Sequence, residues 1–350
     1  MTNSKRPRQD RSGLPGSGDE GISPVIGSAD PGSLQHRGKD GFSVEKEIDF
    51  GEKSYSQGQL VRRRFFRHKG AMVSLFVLAA VTVVAYTSIG VGPLPGWWGK
   101  SYLETAPVAN GGSPTLSLWP PSLGEHPFGQ ETTGKDYFAL TMRGTQQSLL
   151  VAFIVGIGST AIGVVVGAVA GFYRGWVEAV LMRMTDLFIV IPLLILAAVV
   201  SKSLDAGIWG MSLTLSILVW TGLARLVRGE VLSLREREFV TAAEAIGTGS
   251  VRIIVKHILP NAIGTIIVSA TLTIAVAILL ETALSFLGYG ISPPDSSLGQ
   301  LISTYQTAFL TRPWLFWWPG LTILAIAFSV NFLGDGLRDA FDPRQNRSAD

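Results

Sequence analysis

The side chains able to do chemistry in this chain are few and widely separated. Glu281 stands near the end of a long apolar run, where a carboxylate is costly to solvate and faces a protein interior or a water-filled path. Two roles suit it: contact with an amine or cation in transit, or a hydrogen-bonded cap for the turn over residues 285–290. Arg183 with Asp186, and Asp335 with Arg338, stand at the i,i+3 spacing of helical ion pairs and read as structural pairs. The four histidines, at 36, 68, 126 and 257, fall in different segments with no HExxH or paired-ligand spacing, so no metal site is expected. Cysteine is absent, which removes disulfides, thiolate metal sites and thiol catalysis. Gly99-Lys100-Ser101 has the ending of a phosphate-binding loop, but Leu94 stands where that loop needs a glycine. There is no GxSxG elbow either. A non-catalytic chain that binds no cofactor of its own is expected.

A different kind of pattern begins at Glu238: Glu238-Phe239-Val240-Thr241-Ala242-Ala243-Glu244-Ala245-Ile246-Gly247, and further on Leu259-Pro260. Residues 232–246 are strong helix formers, with Leu234, Ala242, Ala245 and Ile246 on one side and Arg235, Glu236, Arg237, Glu238 and Glu244 on the others. Gly247 stops the helix, and residues 248–250 allow a change of direction. A second short helix then reaches Leu259, and Pro260 opens the next element at a position where its missing N–H costs nothing. Small Ala242 and Ala243 would let another surface come close, which makes a docking knob. An amphipathic connector between two buried segments accounts for the same residues equally well.

The elements that must hold these residues follow from composition. With 47% hydrophobic and 16% charged residues and a positive mean hydropathy, the chain suits a membrane-embedded helical bundle. Six apolar segments reach or approach the roughly 20 residues that cross a bilayer: 71–91, 144–173, 179–201, 206–224, 257–280 and 313–334. The third reaches that length only by including Arg183 and Asp186, which the i,i+3 pairing would permit. Arg62, Arg63, Arg64, Arg67 and Lys69 precede the first span and place its start in the cytoplasm. Six crossings then put Arg174, Arg225, Arg228, Arg235, Arg237, Arg252, Lys256, Arg338, Arg344 and Arg347 inside. Only Lys100, Lys135, Arg143, Lys202 and Arg312 remain outside. The expectation is an all-α multi-pass protein of the plasma membrane, with both termini cytoplasmic and no cleavable signal peptide.

Along the chain, residues 1–58 are rich in Gly, Ser, Pro and Asp and read as a disordered cytoplasmic tail. Residues 59–92 hold the basic flank and first span. Within 55–69, Leu60, Val61, Phe65 and Phe66 alternate with arginines; an interfacial helix on anionic headgroups is compatible, but a plain topology signal is the simpler reading. Residues 93–143 form an extracytoplasmic segment punctuated by prolines, with Trp97, Trp98 and Trp119 expected to anchor at the outer interface. Residues 144–338 form a five-helix unit that includes the loop 232–260, and residues 339–350 form a cytoplasmic tail.

The insert resembles the EAA loop of ABC importer permeases: Ala242, Ala243, Gly247, Leu259 and Pro260 stand at matching places, while Thr241 and His257 replace the usual Glu and Ile. Further segments resemble the C-type permease subunits of oligopeptide, dipeptide and nickel importers, the OppC, DppC and NikC group. They are His126-Pro127-Phe128-Gly129, Thr133-Gly134-Lys135-Asp136, Ser148-Leu149, Ala170-Gly171-Phe172-Tyr173, Met182-Arg183-Met184-Thr185-Asp186, Glu281-Thr282-Ala283-Leu284-Ser285-Phe286-Leu287-Gly288, Pro293-Pro294, the run from Asn331 to Asp339, and Asp342-Pro343-Arg344. They occur in the expected order over residues 126–344, and residues 1 to about 50 have no counterpart.

That resemblance implies a type I (MetI-like) importer permease core with six transmembrane helices and a cytoplasmic coupling helix. It implies a second homologous permease, two cytoplasmic ATPase subunits or domains that use the ATP, an extracytoplasmic solute-binding protein, and the bilayer as surroundings. Glu238, Phe239, Ala242, Ala243, Gly247, Leu259 and Pro260 would couple to the ATPase, and Glu281 is the candidate for the translocation path. Few histidines and no cysteine favour peptides over nickel or another small solute. A secondary transporter or channel would call for more intramembrane charges, and a membrane scaffold would use the insert to hold a signalling protein.

Overall fold

The computed structural model describes residues 57–204, 207–291 and 294–342. The tail expected over residues 1–58 therefore lies outside the described residues except at its end, and so does most of 339–350.

In hydrocarbon, every backbone N–H and C=O must be satisfied within its own segment, so apolar runs of this length become helices. They are α1 (Gln57–Arg67), α2 (Lys69–Ser88), α3 (Tyr137–Tyr173), α4 (Gly175–Val190), α5 (Leu193–Leu204), α6 (Gly207–Val219), α7 (Thr221–Arg235), α8 (Glu238–Ala245), α9 (Ser250–Ile253), α10 (Leu259–Phe286), α11 (Leu298–Tyr305) and α12 (Trp314–Phe341). Four continuous helical stretches are long and apolar enough to cross a bilayer: Lys69–Ser88, Tyr137–Tyr173, Ser250–Phe286 and Trp314–Phe341. With each of the bent pairs α4/α5 and α6/α7 counted as one span, the number reaches six. The third span is thus broken, not continuous as the hydropathy suggests: its two halves meet at 89°. Pro192 is the cause, because proline drives the residue before it out of the helical region, and Ile191 is extended at φ −77°, ψ 129°.

The second span also begins seven residues earlier than its apolar run, at Tyr137 rather than at 144. Asp136 caps it, its side chain accepting the Ala139 N–H at 2.8 Å. Tyr137 buries its ring and donates its hydroxyl to the Leu315 carbonyl. At 37 residues and about 1.5 Å per residue, α3 is about 55 Å long and forms the central post of the bundle. It meets α7 along a seam of three small residues one turn apart, Gly163, Gly167 and Gly171. A methyl at Gly167 would lie 2.5 Å from the Ala224 carbonyl, and one at Gly171 2.8 Å from the Arg228 carbonyl. No side chain larger than hydrogen fits such a backbone approach.

One end of the bundle is basic. There α4 is pinned to α7 by Arg228–Glu178 and by Arg225–Asp186 (2.5 Å). Asp186 therefore pairs across to another helix, and not with Arg183 as the i,i+3 spacing suggests; the bend at Pro192 turns α4 toward α7 and brings Arg225 within reach. Asp335 and Arg338 likewise form no ion pair with each other among the described residues. Near them it is Asp339 that meets a basic side chain, its carboxylate lying 3.5 Å from a ring nitrogen of His68.

The other end carries residues 89–136, a compact cap with two two-residue hairpins, β1 (Gly90–Val91) with β2 (Leu94–Pro95) and β3 (Ser117–Leu118) with β4 (Pro121–Ser122). Of the three tryptophans expected to anchor here, Trp97 and Trp119 are exposed. Trp98 instead packs edge-on against Phe138, 5.0 Å between centroids, and donates to Asp136 at 3.1 Å. Gln146 of α3 donates to the carbonyls of Ala85 (2.8 Å) and Gly90 (2.9 Å), satisfying backbone groups left open at the end of α2.

Candidate functional site

At the basic end, the chain leaves α7 at Arg235, whose guanidinium donates to the Phe172 carbonyl and lies over the Phe172 ring, 5.1 Å from its centroid. Glu236 pairs with Arg174 at 2.7 Å. Helix α8 begins after extended Arg237 and ends in a Schellman motif: the Thr248 N–H reaches the Ala243 carbonyl at 3.1 Å and the Gly247 N–H reaches the Glu244 carbonyl at 2.9 Å. Gly247 holds φ +80°, a left-handed conformation that favours glycine, so its role as helix stop has a direct geometric basis.

Helix α8 is a knob with an inner and an outer face. Val240 (0% exposed) and Ala243 (7%) point inward onto Phe172, Val227, Val231, Ile253 and Ile258. Glu238, Phe239, Thr241, Ala242, Glu244, Ala245 and Ile246 point outward, with Ile246 82% exposed. This corrects the expected apolar side of the insert. Ala242, Ala245 and Ile246 do not face the bundle, because the helix breaks between Arg235 and Glu238 and its phase restarts. Ala243 is not free for another surface: its small size lets α8 lie close to its own bundle. Ile246 and Val251 (69% exposed) are apolar groups on this outer surface.

Beyond Gly247, α9 does not stand as a separate short helix. It continues through a π-helical turn, Ile254–Ile258, into α10, giving one helix over Ser250–Phe286. The wider turn follows from Pro260, which has no N–H and crowds the carbonyl four residues back; beside it the Leu259 N–H bonds five residues back, to Ile254. His257, which stands where the motif has Ile, lies in this turn, and its carbonyl accepts from the Asn261 side chain at 2.6 Å. Leu259 is half-buried and Pro260 exposed, so of the anticipated coupling residues Glu238, Phe239, Ala242, Gly247 and Pro260 are presented outward.

Glu281 lies far along the same helix, fully buried. Its carboxylate accepts from Ser148 of α3 at 2.9 Å and from Ser285 at 2.7 Å. Ser285 in turn accepts from Ser297 at 3.1 Å, and Ser148 accepts the Leu298 N–H at 3.2 Å. These hydrogen bonds give Glu281 a structural role, tying α3, α10 and the start of α11 together. Nearby, Arg143 reaches Asp295 at 2.5 Å.

Two polar clusters lie in the cap that no local spacing in the chain announces. His126 and Asp136 are buried 2.7 Å apart, with Lys100 3.1 Å from the other ring nitrogen of His126. Both belong to segments singled out for their resemblance, but their ten-residue spacing carries no sign of contact. Glu131 is also buried and accepts from the Thr133 N–H at 2.9 Å and Thr132 at 3.0 Å. Burial pushes its carboxyl up, and the bonds from Thr133, Thr132 and Tyr305 outweigh that and hold it below its usual value. The Tyr305 phenol is pushed up by burial and by the Glu131 charge.

Comparison with known proteins gives two family matches: "Binding-protein-dependent transport system inner membrane component" over residues 163–347, and "N-terminal TM domain of oligopeptide transport permease C" over residues 56–94. The oligopeptide transport system permease protein OppC of Mycobacterium tuberculosis H37Rv is 41% identical over 290 residues, covering 82% of this chain and 95% of that protein. A putative peptide permease protein of Brucella suis is 37% identical, covering 83% of this chain and 92% of that protein. OppC of Haemophilus influenzae is 34% identical, covering 86% and 94%. Among solved structures, an inward-facing MetNI methionine ABC transporter matches with a TM-score of 0.49 at 20% identity, covering 58% of this chain and 96% of that one.

Proposed function

This chain belongs to the binding-protein-dependent transport inner membrane components, in the oligopeptide permease C group, and from that membership we propose that it is the peptide-translocating permease subunit of an ATP-driven importer. The observation that carries the mechanism is α8: its inner face packs on α7, α9 and the π-turn that leads into α10, while its outer face, Glu238, Phe239, Ala242 and Ile246, is exposed and can receive another protein. In this reading the basic end is cytoplasmic, as the arginine distribution favours, and residues 89–136 lie outside. One of two ATPase subunits or domains seats α8 in a cleft. When the nucleotide-bound ATPases close on each other, α8 moves as a rigid body, and α3, α7 and α10 move with it. This chain supplies no group to ATP hydrolysis.

A second, homologous permease completes the path. The broken span α4/α5, with Leu187, Val190, Ile195 and Val199 exposed, is a surface suited to that partner. A solute-binding protein would deliver peptide to the outer cap. The test is reconstitution of this chain with its partner permease, ATPases and binding protein in liposomes, followed by uptake of a labelled oligopeptide. Uptake that requires both ATP and the binding protein is expected. Transport of Ni²⁺ or another small solute without peptide would overturn the substrate, and failure of any ATPase to copurify would overturn the class.

A further inference from the structure

Residues 55–69 read most simply as a topology signal, but that role needs only charge, and the structure shows a docked helix. Helix α1 ends at Arg67 and α2 starts at Lys69, with extended His68 (φ −78°, ψ 99°) turning the chain between them. His68 accepts the Ala71 N–H at 3.0 Å, capping α2, and its other ring nitrogen lies 3.5 Å from Asp339 of α12. Arg64 donates to the Asp342 carbonyl at 3.0 Å, and Gly336 of α12 leaves room for Ala71 where a methyl would collide. The inner side of α1 is made by half-buried Leu60, Val61, Arg64 and Phe65. The outer side presents Arg62, Phe66 and Arg67, with Phe66 56% exposed. No acidic residue occurs between positions 57 and 71.

An exposed aromatic ring flanked by arginines, held at a fixed angle at the mouth of a span, matches the chemistry of the headgroup layer: ring at the acyl boundary, guanidinium groups on phosphates. We propose that α1 is an interfacial helix that binds anionic phospholipid, with Phe66 inserted at the acyl boundary and Arg62 and Arg67 on the phosphates. Because α1 is bonded to the end of α12, bound lipid holds the start of α2 and the end of α12 together. The solute carried has no bearing on this site.

The chain has no cysteine, so Phe66→Cys gives a single attachment point for a spin label on the otherwise native sequence. Its depth is read by power saturation with oxygen and with a water-soluble relaxant, in bilayers of phosphatidylcholine with and without phosphatidylglycerol. The label is expected at the headgroup–acyl boundary in anionic bilayers and closer to water in neutral ones. R62Q/R67Q should raise the phosphatidylglycerol fraction needed for protection by roughly severalfold, and R62K/R67K should restore much of it. A water-exposed label in anionic bilayers, or a depth unmoved by R62Q/R67Q, would overturn the proposal. Protection that appears only when the ATPases are added would also overturn it, by making α1 a protein-docking surface.

Discussion

Ala242 and Ala243 are adjacent and of the same type, yet replacing each by leucine should cause opposite failures. Ala243 lies on the closed inner face of α8 against Phe172, Val231 and Ile253, where an added isopropyl group has no space. Overpacking of that kind costs about 1–3 kcal/mol. Taking about 2 kcal/mol, at about 2–4 °C per kcal/mol for a unit of this size, Ala243→Leu should lower the Tm of the purified chain by about 4–8 °C. Ala242 faces outward, so Ala242→Leu should change stability by no more than about 0.5 kcal/mol and leave the Tm nearly unchanged. Retention of the ATPases should follow the reverse order. The leucine at 242 occupies the docking face and should abolish copurification and ATP-dependent uptake, whereas the folded fraction of Ala243→Leu should keep both. The measurements are thermal denaturation of the full chain in detergent, ATPase pull-down, and uptake in liposomes. Equal Tm losses in the two variants, or normal coupled uptake by Ala242→Leu, would refute the assignment of inner and outer faces.

Three further outcomes follow from the same structure. Glu281→Gln, which keeps polar partners for Ser148 and Ser285, should retain uptake, while Glu281→Leu strands those hydroxyls at about 1–3 kcal/mol each and should lower the Tm; loss of uptake in both variants at unchanged Tm would instead make Glu281 a substrate contact. On the α3–α7 seam, Gly167→Ala should destabilise because its methyl meets the Ala224 carbonyl, whereas Gly229→Ala, with open space around it, should be neutral or stabilising by up to about 1 kcal/mol, again read by thermal denaturation. Glu131 has a folded-state pKa below its usual 4.5, so its contribution is present above that value and is lost as pH falls through the lower, folded-state value; hydrogen exchange of residues 129–137 should show the cap loosening in acid, with Glu131→Gln already loosened at neutral pH.

Some of this was legible in the chain and some was not, for physical reasons. Spans declare themselves because a bilayer demands long apolar runs, and Gly247 declared itself because a left-handed helix stop favours glycine. Pro192 was visible as a residue, but the 89° bend it causes lies inside an unbroken apolar run, where hydropathy is silent. The pairing of Asp186 with Arg225 was not legible, since a partner one turn away looks sufficient until the bend brings a closer one. The inward turn of Ala243 was hidden by the break after Arg235, which resets the helical phase and reverses which alanine faces out. The serine cage of Glu281 joins positions 148, 281 and 297, a contact that no local spacing encodes.

The continuous helix from Ser250 to Phe286 has a mechanical consequence. Its 37 residues make a stiff rod about 55 Å long that starts beside α8 and ends beyond the Glu281 cage. If it pivots at the π-turn, the 28 residues of α10 beyond it form an arm about 42 Å long, and a tilt of about 5° there sweeps the far tip through about 4 Å. A movement at the basic end too small to unpack the Phe172–Ile258 cluster would therefore be enlarged at the cap without any bond between the two being broken. The gearing lies in the length of one helix, and it would be lost if a flexible glycine pair were placed midway along it.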